Sequence, residues 1–142
     1  MNKLQALYPA RIWYEDNVYY VQFLDLENGF TFGENLTDAK EMAADVLSGL
    51  LASALAHNVP IPLPQKAQGE DIYFIAPTIK VQAALLLRLM RANLPQEKIA
   101  EAIGETKQTY QEIEQTQAVP TLLQLQKAAD VFGKDLVIEF RG

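Results

Sequence analysis

Asp25 and Glu27 put two carboxylates close together where a strand-like run ends. Such a pair could help hold a divalent metal for phosphodiester hydrolysis, but that chemistry needs further carboxylates converging from separate elements, and the sequence places none. The pair therefore reads as solvated acid or as a surface for a cationic partner. His57 is the only histidine, and no nucleophile or base is paired with it. At a helix end its cationic form would suit the helix dipole. The seven glycines are scattered and build no phosphate-cradling loop. Cysteine is absent, which removes disulfides and thiolate metal sites and suits a reducing cytosol. No enzyme activity, metal or cofactor is expected.

A second constellation offers base-edge and phosphate recognition. Ala100 and Gly104 stand four positions apart, with Ile99, Ile103, Tyr110 and Ile113 at offsets that pin two short helices to a core. Two helices crossing steeply need a small residue at the crossing and a turn residue that accepts positive φ, which Ala100 and Gly104 supply. This is the spacing of a helix-turn-helix; the plainer alternative is a helical packing domain. The run Gly104-Glu105-Thr106-Lys107-Gln108-Thr109-Tyr110-Gln111-Glu112-Ile113-Glu114 resembles the turn and recognition helix of the Cro and phage-repressor type, and Pro120-Thr121-Leu122 resembles its entry to the next helix. The likeness covers about Ile79 to Phe132 and implies that Thr106, Lys107, Gln108, Thr109, Gln111 and Glu112 face the major groove of operator DNA. Gln can pair bidentately with adenine, Lys with guanine or phosphate, and Glu with cytosine at the cost of repelling phosphate. Gln96, opening a helix, is an expected phosphate contact. Two positions depart from the usual pattern: Glu105 stands where an apolar residue is common, and Gln111-Glu112 where arginine or serine is common.

The charge of the chain is divided. Its net −6 comes from four cations and ten anions between Met1 and Pro77, while eight of each sign lie between Thr78 and Gly142. The acidic half repels nucleic acid and favours a basic partner, unless the charge serves only solubility. The neutral half gains little from counterion release as a monomer. A dimer reading two half-sites one helical turn apart, roughly 34 Å, is therefore expected. With 49 % hydrophobic and 21 % charged residues the balance is globular. Apolar runs break well before the roughly 18 residues a bilayer span needs. Met1-Asn2-Lys3-Leu4 has no long apolar run behind it, as a signal peptide would require. A soluble cytoplasmic protein, with no membrane partner, is expected.

Two groups of elements must position these residues. Tyr8 to Trp13 and Val18 to Phe23 read as strands around a turn at Glu15-Asp16-Asn17, and Phe30-Thr31-Phe32 as a third strand after Asn28-Gly29. Trp13 and the pair Tyr19-Tyr20 are expected in the core or on a strand face. Thr37 is the expected N-cap of a helix reaching about Ala56, with Met42, Val46, Leu50 and Leu51 as its stripe and Ala39 and Ala43 close by. Asn58 ends it, Pro60, Pro62 and Pro64 keep the chain extended, and Asp71 to Ile75 forms a fourth strand. Ala76-Pro77 marks a boundary. Beyond it, Thr78 caps a helix from Ile79 to about Arg91 striped by Val81, Leu85 and Leu89. Helices follow over Gln96–Ile103, Lys107–Gln115 and Thr121 or Leu122 to Phe132, the last burying Leu122, Leu125, Ala129 and Phe132. Leu136 to Phe140 alternates as a terminal strand. The class is α+β: a β-β-β-α-β layer followed by an all-α unit with a short C-terminal strand.

Tyr8-Pro9-Ala10, Val21-Gln22-Phe23-Leu24-Asp25-Leu26, the run Phe32-Gly33-Glu34-Asn35-Leu36-Thr37-Asp38-Ala39 and Pro60-Ile61-Pro62-Leu63-Pro64 together resemble the HicB antitoxin family, over nearly the whole chain. The resemblance implies that residues 1–76 form a partial RNase H-like domain that masks a HicA-type basic toxin, an mRNA-cleaving protein. It implies toxin contacts at Asp25, Glu27, Thr31, Gly33 and Glu34. It also implies that residues 77–142 dimerise, or assemble further, and repress the operon's own promoter. Where the family often has proline after the acidic pair, this chain has Glu27-Asn28-Gly29. The alternative reading is a stand-alone regulator whose acidic domain senses a ligand or only dimerises.

Overall fold

The structure is a computed structural model describing residues 3–141; Met1, Asn2 and Gly142 lie outside it. Tyr8–Glu15 (β1) and Val18–Phe23 (β2) pair antiparallel, with Ile12 opposite Val21. Their turn forms because Asp16 and Asn17 take φ of 52° and 65°, the left-handed pair that matches the twist of a two-residue hairpin. β1 runs further than Trp13 because Tyr14 and Glu15 still pair with Tyr19 and Val18. Phe30–Gly33 (β3) and Ile72–Ile75 (β4) complete an antiparallel sheet of order β3-β2-β1-β4.

Leu36–Ala56 (α1) covers one face of that sheet. Asn35, not Thr37, caps it. The Asn35 side-chain oxygen accepts from the Asp38 amide at 2.8 Å, while the Asp38 carboxylate accepts from the Glu34 amide at 2.9 Å. Thr37 already lies inside the first turn. The buried row is Ala39, Ala43, Leu47, Leu51 and Leu55; Met42 is exposed, and Val46 and Leu50 are only half-buried. Alanines lead the row because the helix starts hard against β3. A Cβ on Gly33 would collide with the Ala39 backbone, so glycine there is what lets helix and strand meet.

Ile79–Arg91 (α2) follows without a side-chain cap: Thr78 occupies the N-cap position, but its hydroxyl makes no capping bond. Val81, Ala84 and Leu85 join the core between sheet and α1, whereas Leu87 belongs to a second core with Ile99, Ala100, Ile103, Tyr110, Ile113 and Ala128. That second core lies among α2, Gln96–Ala102 (α3), Lys107–Glu114 (α4) and Leu122–Val131 (α5). Gly104 takes φ of 76° between α3 and α4, as the turn requires. Thr121 caps α5 in a reciprocal box with Gln124. Ala128 and Ala129 are the buried residues of α5, and Leu122 lies exposed. Leu122 opens the helix beside the cap, nearly two turns away from the alanines that touch the core. Leu136 to Phe140 forms no strand among the described residues, because no strand of this chain lies beside it. No helix among the described residues is long and apolar enough to cross a membrane.

Gly33→Val should lower the free energy of unfolding by about 1–3 kcal/mol, the usual range for forcing extra atoms into a packed contact. Chemical denaturation with circular dichroism measures it; an unchanged midpoint would contradict the close approach.

Candidate functional site

α4 presents one polar and one buried face. Lys107, Gln108 and Gln111 are exposed together, while Tyr110, Ile113 and Glu114 are buried, as a helical repeat of about 3.6 residues dictates. Thr109 and Glu112 are half-buried between them. The Thr106 hydroxyl accepts from the Thr109 amide at 3.1 Å and meets the Thr109 hydroxyl at 3.1 Å. Both threonines therefore help start the helix. Lys107 Nζ lies 3.0 Å from Glu97 Oε1 on the surface. The Glu97 carboxyl is held below the ordinary range, first by its own backbone amide and then by Lys107. Gln96 is half-buried and its amide nitrogen reaches Glu114 Oε1 at 3.4 Å.

Sequence reasoning missed the pair that seats this helix. Arg91 donates through Nε and Nη2 to Glu114 Oε2 and Oε1, at 2.6 and 2.9 Å. The side chains are only 16 % and 6 % exposed, so the bidentate pair ties the last turn of α2 to α4 out of water. The bond to Glu114 raises the Arg91 pKa against the opposing effect of burial. The buried Tyr110 hydroxyl finds no hydrogen-bond partner among the described residues. Burial, reinforced by the Glu114 carboxylate, pushes that phenol well above the tyrosine range. The available signal was Glu114 standing one residue past Ile113, a charge on the apolar stripe. Glu105 also has an internal role. It accepts from Gln124 Nε2 at 2.8 Å, joining the turn to the cap of α5.

The second group lies along β3. Glu27 and Glu34 flank this strand in the sequence and are exposed, Thr31 is half-buried within it, and Gly33 is packed against α1. β3 is an edge of the sheet, so one side of its backbone has no strand partner among the described residues. Asp25 turns elsewhere: Oδ1 and Oδ2 accept from Gln65 Nε2 at 2.9 Å and the Gln65 amide at 3.3 Å, anchoring the chain after the proline run. Tyr8 reaches the same run, donating to the Pro62 carbonyl at 2.9 Å. Its phenol is pushed up to about 12 by burial and then by Asp25. On the face away from α1, Trp13 stacks on Tyr20 at 5.7 Å and Tyr20 on Phe30 at 6.1 Å. Phe30 and Phe32 are about half exposed, at 48 % and 59 %. The alternation of Trp13, Tyr20, Phe30 and Phe32 was the signal for this open face. Among the described residues, no group of three or more His, Asp or Glu is placed to hold a metal ion.

Comparison with known proteins divides the chain in the same order. The family described as "HicB_like antitoxin of bacterial toxin-antitoxin system" matches residues 7–83, and the family described as "Helix-turn-helix" matches residues 86–138. The protein named Antitoxin HicB of Escherichia coli is 29 % identical over 119 residues, covering 83 % of this chain and 86 % of that one. Antitoxin HicB 1 of Photorhabdus laumondii is 26 % identical over 124 residues, covering 87 % and 79 %.

Arg91→Ala leaves Glu114 buried without its cation. It should cost about 3–5 kcal/mol, as breaking a buried pair does. Urea denaturation measures the loss; a cost below about 1 kcal/mol would show the pair to be solvated, as surface pairs are.

Proposed function

The chain belongs to the HicB-like antitoxin family, and on that premise we propose that it neutralises a HicA-type basic, mRNA-cleaving toxin and represses its own operon. Residues 1–76 bind the toxin as a partial RNase H-like domain, and residues 77–142 bind promoter DNA as a homodimer or higher homo-oligomer. The protein acts in the cytoplasm without catalysis of its own. The observation that carries this reading is the joining, in one chain, of an antitoxin-family sheet domain to a helix-turn-helix with an exposed polar face.

The toxin docks along the β3 edge. Glu27 and Glu34 there are exposed carboxylates on the half that holds the whole acidic excess. Such a surface draws and orients a cationic partner, and an unpaired strand edge can accept a strand from it. Thr31 and Gly33 position that edge, and Asp25 shapes the loop beside it. On DNA, Lys107, Gln108 and Gln111 reach base edges, Thr106, Thr109 and Glu112 line the same face, and Gln96 stands at the phosphate side. The half that carries them has no net charge, so affinity comes from two copies acting together.

Co-expression with a small basic protein encoded alongside should give a co-purifying complex, and RNA cleavage by that partner should appear only when it is free. Glu27→Lys combined with Glu34→Lys should weaken capture roughly tenfold or more while sparing DNA binding. Gln108→Ala and Gln111→Ala should each weaken operator binding by about 1–3 kcal/mol at fixed salt, with capture unchanged. A chain that captures no such neighbour would sink the antitoxin half of the proposal.

A further inference from the structure

Leu4 and Leu7 before β1, Leu63 and Ala67 around the end of the proline run, Phe74 of β4 and Leu89 of α2 line a cleft of about 420 Å³. Small-molecule sites are mostly apolar clefts of roughly 300–1,000 Å³ with a few polar groups, and they favour the seams between domains. This cleft lies at such a seam: Leu7, Leu63, Ala67 and Phe74 fall in the part that matches the antitoxin family, and Leu89 in the part that matches the helix-turn-helix family. Two contacts hold its wall. Tyr8 donates to the Pro62 carbonyl at 2.9 Å, and Gln65 Nε2 to Asp25 Oδ1 at 2.9 Å. Leu63 is nonetheless 61 % and Phe74 46 % exposed, so the cleft carries uncovered apolar surface.

The charge at the cleft is opposite to that of the half it sits in. Ten acids outnumber four cations between Met1 and Pro77, yet among the described residues no Asp or Glu lines the cleft, while Lys3 and Lys66 do. The other two cations of that half are engaged elsewhere: Arg11 meets Asp71 at 2.9 Å, and Lys40 lies over the Tyr73 ring at 4.8 Å. Lys3 and Lys66 form no ion pair among the described residues. An apolar lining with two free ammonium groups is complementary to an apolar chain that ends in an anion.

We propose that this cleft binds a medium-chain carboxylate, its chain along Leu7, Leu63, Phe74 and Leu89 and its head on the Lys3 and Lys66 ammonium groups. The assignment is independent of the antitoxin reading. A second copy docking face to face would set the two lysines against their own kind. An anionic bilayer would be repelled by the acidic excess around the cleft. A bare inorganic anion would leave the apolar lining uncovered.

Hexanoate, octanoate and decanoate, each below its micellar concentration, can be titrated calorimetrically into the full chain. Affinity should rise about tenfold for every two methylenes added and fall as salt is raised. Lys3→Glu combined with Lys66→Glu should weaken decanoate binding about tenfold. Ala67→Trp fills the cleft from an irregular segment and should abolish binding with the circular dichroism spectrum unchanged. Methyl NMR shifts of Leu7, Leu63 and Leu89 should saturate at the calorimetric Kd. The proposal is overturned by a chain that gives no saturable binding of decanoate, or by decanol or decyltrimethylammonium binding as tightly. Affinity indifferent to the lysine pair or to Ala67→Trp overturns it too. So do shifts confined to the exposed Val119, Leu122, Leu123 and Val131, or binding to phosphatidylglycerol vesicles without binding of free decanoate.

Discussion

α2 is buried on two sides at once, and the rest of the molecule is arranged around that constraint. Val81, Ala84 and Leu85 close the core under the sheet, while Leu87 closes the helical core, with Met90 packed against it. At about 100° per residue, Val81 and Leu85 point one way and Leu87 nearly the opposite. A helix with one apolar side could swing as a linker. This one cannot leave either core without returning apolar surface to water, at about 25 cal/mol per Å². Two polar contacts fix its placement further: the Thr78 amide donates to the Ser48 hydroxyl at 2.9 Å, and Arg88 donates to the Val59 carbonyl at 3.1 Å. The orientation of the polar face of α4 relative to the sheet is therefore set by packing.

α4, with eight residues, is too short to persist by its own propensity. Its buried face and the Arg91–Glu114 pair hold it. Desolvating two charges is costly, and such pairs often contribute little net stability. What this one contributes is a bidentate geometry that only one seating of α4 satisfies. Other carboxylates in this half are also engaged, Glu97 on Lys107 and Glu105 on Gln124. A half with eight acids can thus present a face rich in amides, because several of its carboxylates are occupied by neighbours.

The acidic half handles its exposed edge differently. β3 is short, only four residues; Glu34 follows it directly and Glu27 stands three positions before it. Short edges with charges are how sheets resist uncontrolled pairing. The close approach at Gly33 packs the strand against the start of α1 from behind.

Much of this was legible in the chain because it depends on short-range rules. The hairpin at Asp16-Asn17, the turn at Gly104, the helix opening at Gln96 and the exposed face at Lys107, Gln108 and Gln111 follow from turn chemistry and helical period, which neighbouring residues determine by themselves. What failed depended on contacts across the fold. Asn35 caps α1 in place of Thr37 because β3 delivers the chain two residues earlier, and alanines displace Met42 from the buried row because Gly33 brings the strand so near. Leu122 is exposed because α5 meets the core through Ala128 and Ala129. Periodicity marks a stripe but not which part of it finds a partner. Glu114 is buried because Arg91, 23 positions away in sequence, arrives beside it, and Leu136 to Phe140 forms no strand because none of the described strands pairs with it. Local sequence determined where the helices and turns form; whether an extended run becomes a strand, and which faces are covered, was decided only when distant segments met.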